Sequence, residues 1–207
     1  MKKNHLKILK NIFLISLVVL STGCGDDEDV KEETISSDFV SGVEGWEIEG
    51  DAKGSQGVIP NFSEINGVGN SGYIYAIDDA TDGVWYFLAP SKYLGDKSKF
   101  FNGKIEFYLI QDSLMADQFD DNDLIIEGVS GKKIIYKHEN YPTQTWTKYQ
   151  IKLNSDSQWV DENGDIASDE NIKAILSNIT KIMIRGEFED GLDTGGLDGF
   201  KFIKQSS

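Results

Sequence analysis

From residue 39 onward the chain breaks into short apolar and aromatic runs bounded by Gly, Asn and Asp, and no other feature limits its fold as tightly. Short runs closed by turn-forming residues read as antiparallel strands stacked in two layers, a β-sandwich. The expected strands are 45–48, 72–77, 84–88, 103–110, 123–128, 133–137, 146–153, 179–188 and 197–203. In Lys104-Ile105-Glu106-Phe107 and in Lys148-Tyr149-Gln150-Ile151-Lys152-Leu153 polar and apolar residues alternate, so each of these strands keeps one wet face. Helical spacing occurs once. Ser168 can cap a short helix whose first turn holds Asp169 and Glu170 and whose apolar stripe is Ile172, Ile175, Leu176 and Ile179. The fold expected from this pattern is all-β with one short helix.

The N-terminus is of another kind. Lys2, Lys3, Lys7 and Lys10 precede an apolar stretch from Ile12 to Leu20, the layout of an export signal and too short for a transmembrane helix of about 20 residues. Ser21, Thr22 and Gly23 then lead into Cys24, which resembles a lipoprotein cleavage site, with Ser21 standing where Leu is usual. Residues 1–23 are therefore expected to be a lipoprotein signal peptide, with Cys24 lipidated and holding the protein to a membrane, the bacterial outer membrane by expectation. Cys24 is the single cysteine, so no intramolecular disulfide is available. Residues 24–37, beginning Gly25-Asp26-Asp27-Glu28-Asp29, read as an acidic flexible tether, and 38–204 as one domain.

Charge narrows the partners. After the signal, 16 basic residues face 35 acidic ones, a net of −19. Such a surface repels nucleic acid, and leaves glycans, cations and extracellular proteins. One arginine, Arg185, and one histidine beyond the signal, His138, remain, so chemistry needing a histidine pair is excluded. His138 is expected to be exposed, and Arg185 to form a structural ion pair with Glu187 or another carboxylate.

Val84-Trp85-Tyr86-Phe87-Leu88-Ala89-Pro90, with the Tyr93-Leu94-Gly95-Asp96 turn, resembles the tryptophan strand and following turn of the laminin B domain, or laminin domain IV. The likeness continues in order through Phe101 to Phe107, Asp123 to Gly128, Tyr149 to Trp159, Thr180 to Phe188 and Leu197-Asp198-Gly199-Phe200. It implies a jelly-roll β-sandwich similar to carbohydrate-binding modules and galactose-binding-like domains, without known catalysis and without a fixed ligand.

Jelly rolls of this kind often hold one structural calcium ion between the first and last strands. Asp38, Asp198 and the loop from Asn66 to Ser71, with Asp78 or Asp79, are the oxygen donors expected to hold it. Asp161-Glu162-Asn163-Gly164-Asp165 has EF-hand-like spacing, but Ile166 and Ile172 replace the glycine and final glutamate, so it reads as an acidic turn. Asp117, Asp120, Asp121 and Asp123 read as a solvated loop. For sugar binding, Tyr136, Tyr141, Trp146 and Trp159 near strand ends offer flat apolar faces, while Trp46, Trp85 and Phe87 belong to packing. The function expected is a non-catalytic module binding a glycan or a protein, against the alternatives of an envelope glycan hydrolase or an accessory lipoprotein of glycan uptake.

Overall fold

The computed structural model describes residues 33–50, 52, 58–78, 83–112 and 118–206. Cys24, the leader before it and the acidic stretch to residue 32 lie outside the described residues, as do Asp79 and Asp117. The described elements run in the order β1 (Thr34–Ser37), β2 (Glu47–Glu49), β3 (Asn61–Ser63), β4 (Tyr73–Ile77), β5 (Tyr86–Leu88) and β6 (Lys104–Gln111). They continue with β7 (Leu124–Gly128), β8 (Lys133–Tyr136), β9 (Thr147–Lys152), β10 (Val160–Asp161), α1 (Asp169–Leu176), β11 (Ile179–Arg185) and β12 (Thr194–Ile203).

Two antiparallel sheets stack to form the jelly-roll sandwich. The first has the order β3-β4-β12-β6-β9, and the second β10-β8-β7-β11-β5-β2. Side-chain alternation fixes which face of each is inside. On β6, Ile105, Phe107 and Leu109 point into the core while Tyr108 and Ile110 face outward, half-buried. On β4, Ile74 and Ala76 point inward and Tyr73 and Tyr75 outward. The long β12 changes partners along one edge. Thr194–Leu197 pairs with β4, whereas Phe200–Ile203 pairs with β1.

Trp46, Trp85, Trp159, Phe107, Phe200 and Phe202 fill the space between the sheets, all fully or almost fully buried. Each is worth roughly 2–3 kcal/mol of burial. The rings meet edge to face, as with Tyr93 and Phe200 at 4.8 Å and Trp46 and Phe200 at 5.1 Å. Close packing here demands glycine at 186, where a Cβ would stand 1.9 Å from the Trp85 ring. The helix closes one end of the core. Ser168 accepts a hydrogen bond from the Asn171 N–H as its cap, and Ile172, Ile175 and Leu176 are buried, as the spacing predicts.

Several expectations are corrected. The tether does not extend to Ser37, because Thr34–Ser37 is β1, paired residue for residue with Phe200–Ile203. Ser37 Oγ there accepts hydrogen bonds from Trp46 Nε1 at 2.8 Å and the Tyr93 hydroxyl at 3.1 Å, giving two core aromatics their polar partner. Asp123 is not in a solvated loop. It is fully buried, and its Oδ1 pairs with Arg185 Nη1 at 3.1 Å, which supplies the structural ion pair expected of the arginine. His138 is buried, not exposed, and stacks on Tyr149 with ring centroids 3.8 Å apart. The Asp161 turn is as expected, its Oδ1 accepting from the Asn163 and Asp165 N–H groups. Among the described residues no helix is long and apolar enough to cross a membrane.

Candidate functional site

The outer face of the first sheet carries a groove of about 470 Å³ lined by Tyr73, Tyr75, Ile110, Gln111, Asp112, Gln144, Thr194 and Gly196. That size lies within the range of roughly 300–1,000 Å³ usual for small-ligand sites. Its floor follows from strand register: Gly196 on β12 lies between Tyr75 on β4 and Ile110 on β6. Because residue 196 lacks a side chain the floor stays low, and a Cβ there would come within 2.7 Å of Ile110 Cγ2 and 3.3 Å of the Tyr73 ring.

Two tyrosine rings line one wall, backed by a tryptophan. Tyr73 and Tyr75 lie 5.7 Å apart, and Trp146, just ahead of β9, meets Tyr73 edge-on at 5.2 Å. The Trp146 indole is fixed by a 2.9 Å hydrogen bond from Nε1 to the Asn66 carbonyl. Asp112, Gln144 and Thr194 form the polar rim, where the Thr194 N–H donates to Asp112 Oδ1 at 2.7 Å and Gln144 Nε2 donates to the Asp112 carbonyl at 3.2 Å. Exposed aromatic faces beside side-chain hydrogen-bonding groups suit a ligand with alternating apolar and hydroxylated faces, the chemistry of a sugar. Of the residues lining the groove only Asp112 is acidic, whereas glycoside hydrolysis ordinarily uses a pair of carboxylates.

The structure separates the four aromatics expected to bind a ligand. Trp146 packs against the groove residue Tyr73 without itself lining the groove. Trp159 does not reach a ligand: it is fully buried, with Nε1 donating to the Lys152 carbonyl at 2.8 Å. Tyr136 packs 5.5 Å from Trp159 and lines a separate depression with Lys137, Glu139 and Val160. Tyr141 packs against Phe188 at 5.6 Å, over the Arg185 guanidinium. Tyr73 and Tyr75 line the groove although they are not among the aromatics expected to face a ligand; the pattern Tyr-Ile-Tyr-Ala-Ile sets both on the face away from the core.

The expected calcium donors are arranged differently. Asp198 does meet the Asn66–Ser71 loop, but the loop turns donors to it: the Val68 N–H and Ser71 hydroxyl reach Oδ2 at 2.7 and 2.9 Å. Burial first, and the charge of Asp38 to a smaller degree, raise the Asp198 carboxyl above its usual range, against those hydrogen bonds. Asp38 is exposed, and the Asn66 carbonyl accepts from Trp146. Asp79 lies outside the described residues. Among the described residues no three or more acidic, histidine or cysteine side chains form a group that would hold a metal ion.

Elsewhere, burial dominates the electrostatics. It holds the His138 imidazole down to about 3, with the Arg185 charge adding to the effect. It also raises Asp123 above the carboxylate range, outweighing the His138 N–H and Arg185 that lower it. At the ends of β4 and β12, burial and then Asp78, Asp112 and Glu189 push Asp193 up to about 7.

The class that this architecture defines is the jelly-roll β-sandwich domain with an aromatic groove on an outer sheet face. The family model for laminin B (domain IV) matches residues 86–203, and the chain belongs to that family. Laminin subunit gamma-1 of Xenopus tropicalis is 26% identical over 179 residues, covering 82% of this chain and 10% of that protein. The laminin-like protein lam-2 of Caenorhabditis elegans is 29% identical over 119 residues, covering 55% of this chain and 7% of that protein. The chain thus spans a tenth or less of the length of these curated relatives. Among solved structures, the L4b domain of human laminin alpha-2 superposes with a TM-score of 0.65 at 13% identity, covering 84% of this chain and 98% of that domain.

Proposed function

We propose that this chain is a non-catalytic glycan-binding module, held at the outer membrane of a bacterium by a lipid on Cys24. The observation that carries the reading is the groove in which Tyr73 and Tyr75 stand over a glycine floor beside Asp112 and Gln144, with Trp146 packed against Tyr73 behind them. With one acid and no lysine or arginine in its lining, the groove favours uncharged sugars over uronic or sulfated ones. The two laminin relatives, of whose length this chain matches a tenth or less, place such a domain within longer chains, which fits a module that holds its ligand. The single lysine-rich leader and Cys24 support the address.

Calorimetry on the unit from Lys31 to Ser207, which contains every described strand, tests the ligand. A panel of neutral oligosaccharides is expected to include at least one that binds without release of new reducing ends. Tyr75→Ala and Trp146→Ala should each weaken that binding about tenfold, or about 1.4 kcal/mol, and Tyr136→Ala should leave it alone. Failure of every neutral glycan, or turnover of one, overturns the reading. For the address, protease treatment of intact cells should remove the domain; its retention would contradict display at the surface.

A further inference from the structure

The groove follows β12, because its walls stand on the flanking strands: Tyr73 and Tyr75 on β4 and Ile110 on β6, with Gly196 between them. A ligand lying in it therefore runs along the strand. Two residues past Gly196, and so on the same face, β12 carries Asp198, which sits opposite Tyr108 on β6. Neither Asp198 nor Tyr108 lines the groove, so the lining stops within about 7 Å of the glycine floor.

The two flanks of the sheet meet over that point. Asn66 belongs to the connection between β3 and β4 on one flank, and Trp146 leads into β9 on the other, with β12 and β6 between them. β4 and β9 are three strand spacings apart, about 14 Å, too far for their backbones to touch. Side chains close the gap. Trp146 meets the Tyr73 ring edge-on at 5.2 Å, and its Nε1 donates to the Asn66 carbonyl at 2.9 Å. The loop that holds Asn66 is itself pinned to β12, since the Val68 N–H and the Ser71 hydroxyl both reach Asp198 Oδ2. It seats this closely only with glycine at 67, where a Cβ would stand 2.7 Å from that oxygen. Tyr73, Trp146 and the pinned loop thus form a brace across the outer face. At the opposite end of the groove the described residues place only the polar rim of Asp112, Gln144 and Thr194.

We infer that the groove recognises the end of a glycan chain rather than its interior. The terminal sugar seats against Tyr73 with the brace behind it, and the rest of the chain leaves over Asp112 and Gln144. A groove stopped at one end admits a chain by its tip, whereas one open at both ends lets the chain pass through. The inference rests on the glycan reading above and adds to it which part of the chain is held. Asp198 acts as a positioning residue: it touches no ligand and fixes the loop on which the brace stands.

The test uses the full chain in a sugar-free detergent, titrated by calorimetry with linear malto-, cello-, xylo- and laminari-oligosaccharides of graded length. For any series that binds, one protein per chain is expected whatever the length. Blocking the seated end of the sugar should weaken binding at least tenfold, and blocking the other end should leave it unchanged. Asp198→Ala, which releases the loop, should let the longest chains take more than one protein each. Several wild-type proteins on one long chain, or equal affinity with either end blocked, overturns the inference and leaves glycan binding standing. A folded Asp198→Ala protein that still takes one place per chain overturns it too, because the brace is then not the stop. Failure of every glycan to bind removes the glycan reading and this inference together. If Asp198→Ala fails to fold, the wild-type stoichiometry and the blocked ends decide.

Discussion

Arg185 is the one guanidinium in the chain, and it is entirely inside. Its Nη1 pairs with Asp123, its Nη2 donates to the Phe119 carbonyl at 2.9 Å, and Phe119 and Phe188 each lie 4.4 Å from its central carbon. Removing one partner leaves an uncompensated buried charge. Asp123→Ala should therefore cost roughly 3–5 kcal/mol, read as a shift in the urea midpoint at constant slope. Asp123 Oδ2 also accepts the His138 N–H at 2.6 Å, which ties the histidine to the same buried cluster. Since the folded state holds His138 near 3 while an unfolded histidine titrates near 6.5, the unfolded chain binds the extra proton between those values. Stability should be full above about pH 6.5 and fall as pH drops toward 3, and His138→Phe should flatten that limb in denaturation curves taken across the range. Neither burial was legible in the sequence. Asp123 and Arg185 are 62 positions apart, and His138 is flanked by Lys137 and Glu139, a polar setting that gives no local sign of an interior place.

β9 and the first half of β6 were legible, because their polar and apolar residues alternate in sequence. Those that were missed carry no such signature. β1 is Thr-Ile-Ser-Ser at the end of an acidic stretch, and β3 and β10 have only three and two residues. β1 exists because β12 extends past β4 and offers a free edge, which is a tertiary fact. Ser37→Ala should remove the acceptor shared by Trp46 and Tyr93 and cost about 1–3 kcal/mol, measured by thermal or chemical unfolding. The groove was half legible. The tyrosines alternate outward in plain view, but that residue 196 faces them depends on the pairing of β12 with β4. Filling that floor with Gly196→Val should abolish glycan binding in calorimetry while leaving the far-ultraviolet circular dichroism spectrum sheet-like.

Taken whole, the described unit is a sandwich in an acid coat. The chain carries a formal charge of −15, and its nine described ion pairs leave most carboxylates facing solvent. Self-repulsion of this size is screened by salt within a Debye length of about 10 Å at 0.1 M. The unfolding midpoint should therefore rise as sodium chloride is increased from low to physiological levels; a midpoint that falls would mean the surface pairs outweigh the repulsion. The pairing of β1 with β12 has a mechanical consequence. β1 runs toward the groove, with Thr34 beside Ile203 at the far end and Ser37 beside Phe200 nearer to it. A pull applied ahead of Thr34 against a load seated at Gly196 drags β1 lengthwise along β12. The hydrogen bonds along those four residue pairs then bear the force together, in shear, rather than opening one after another like a zip.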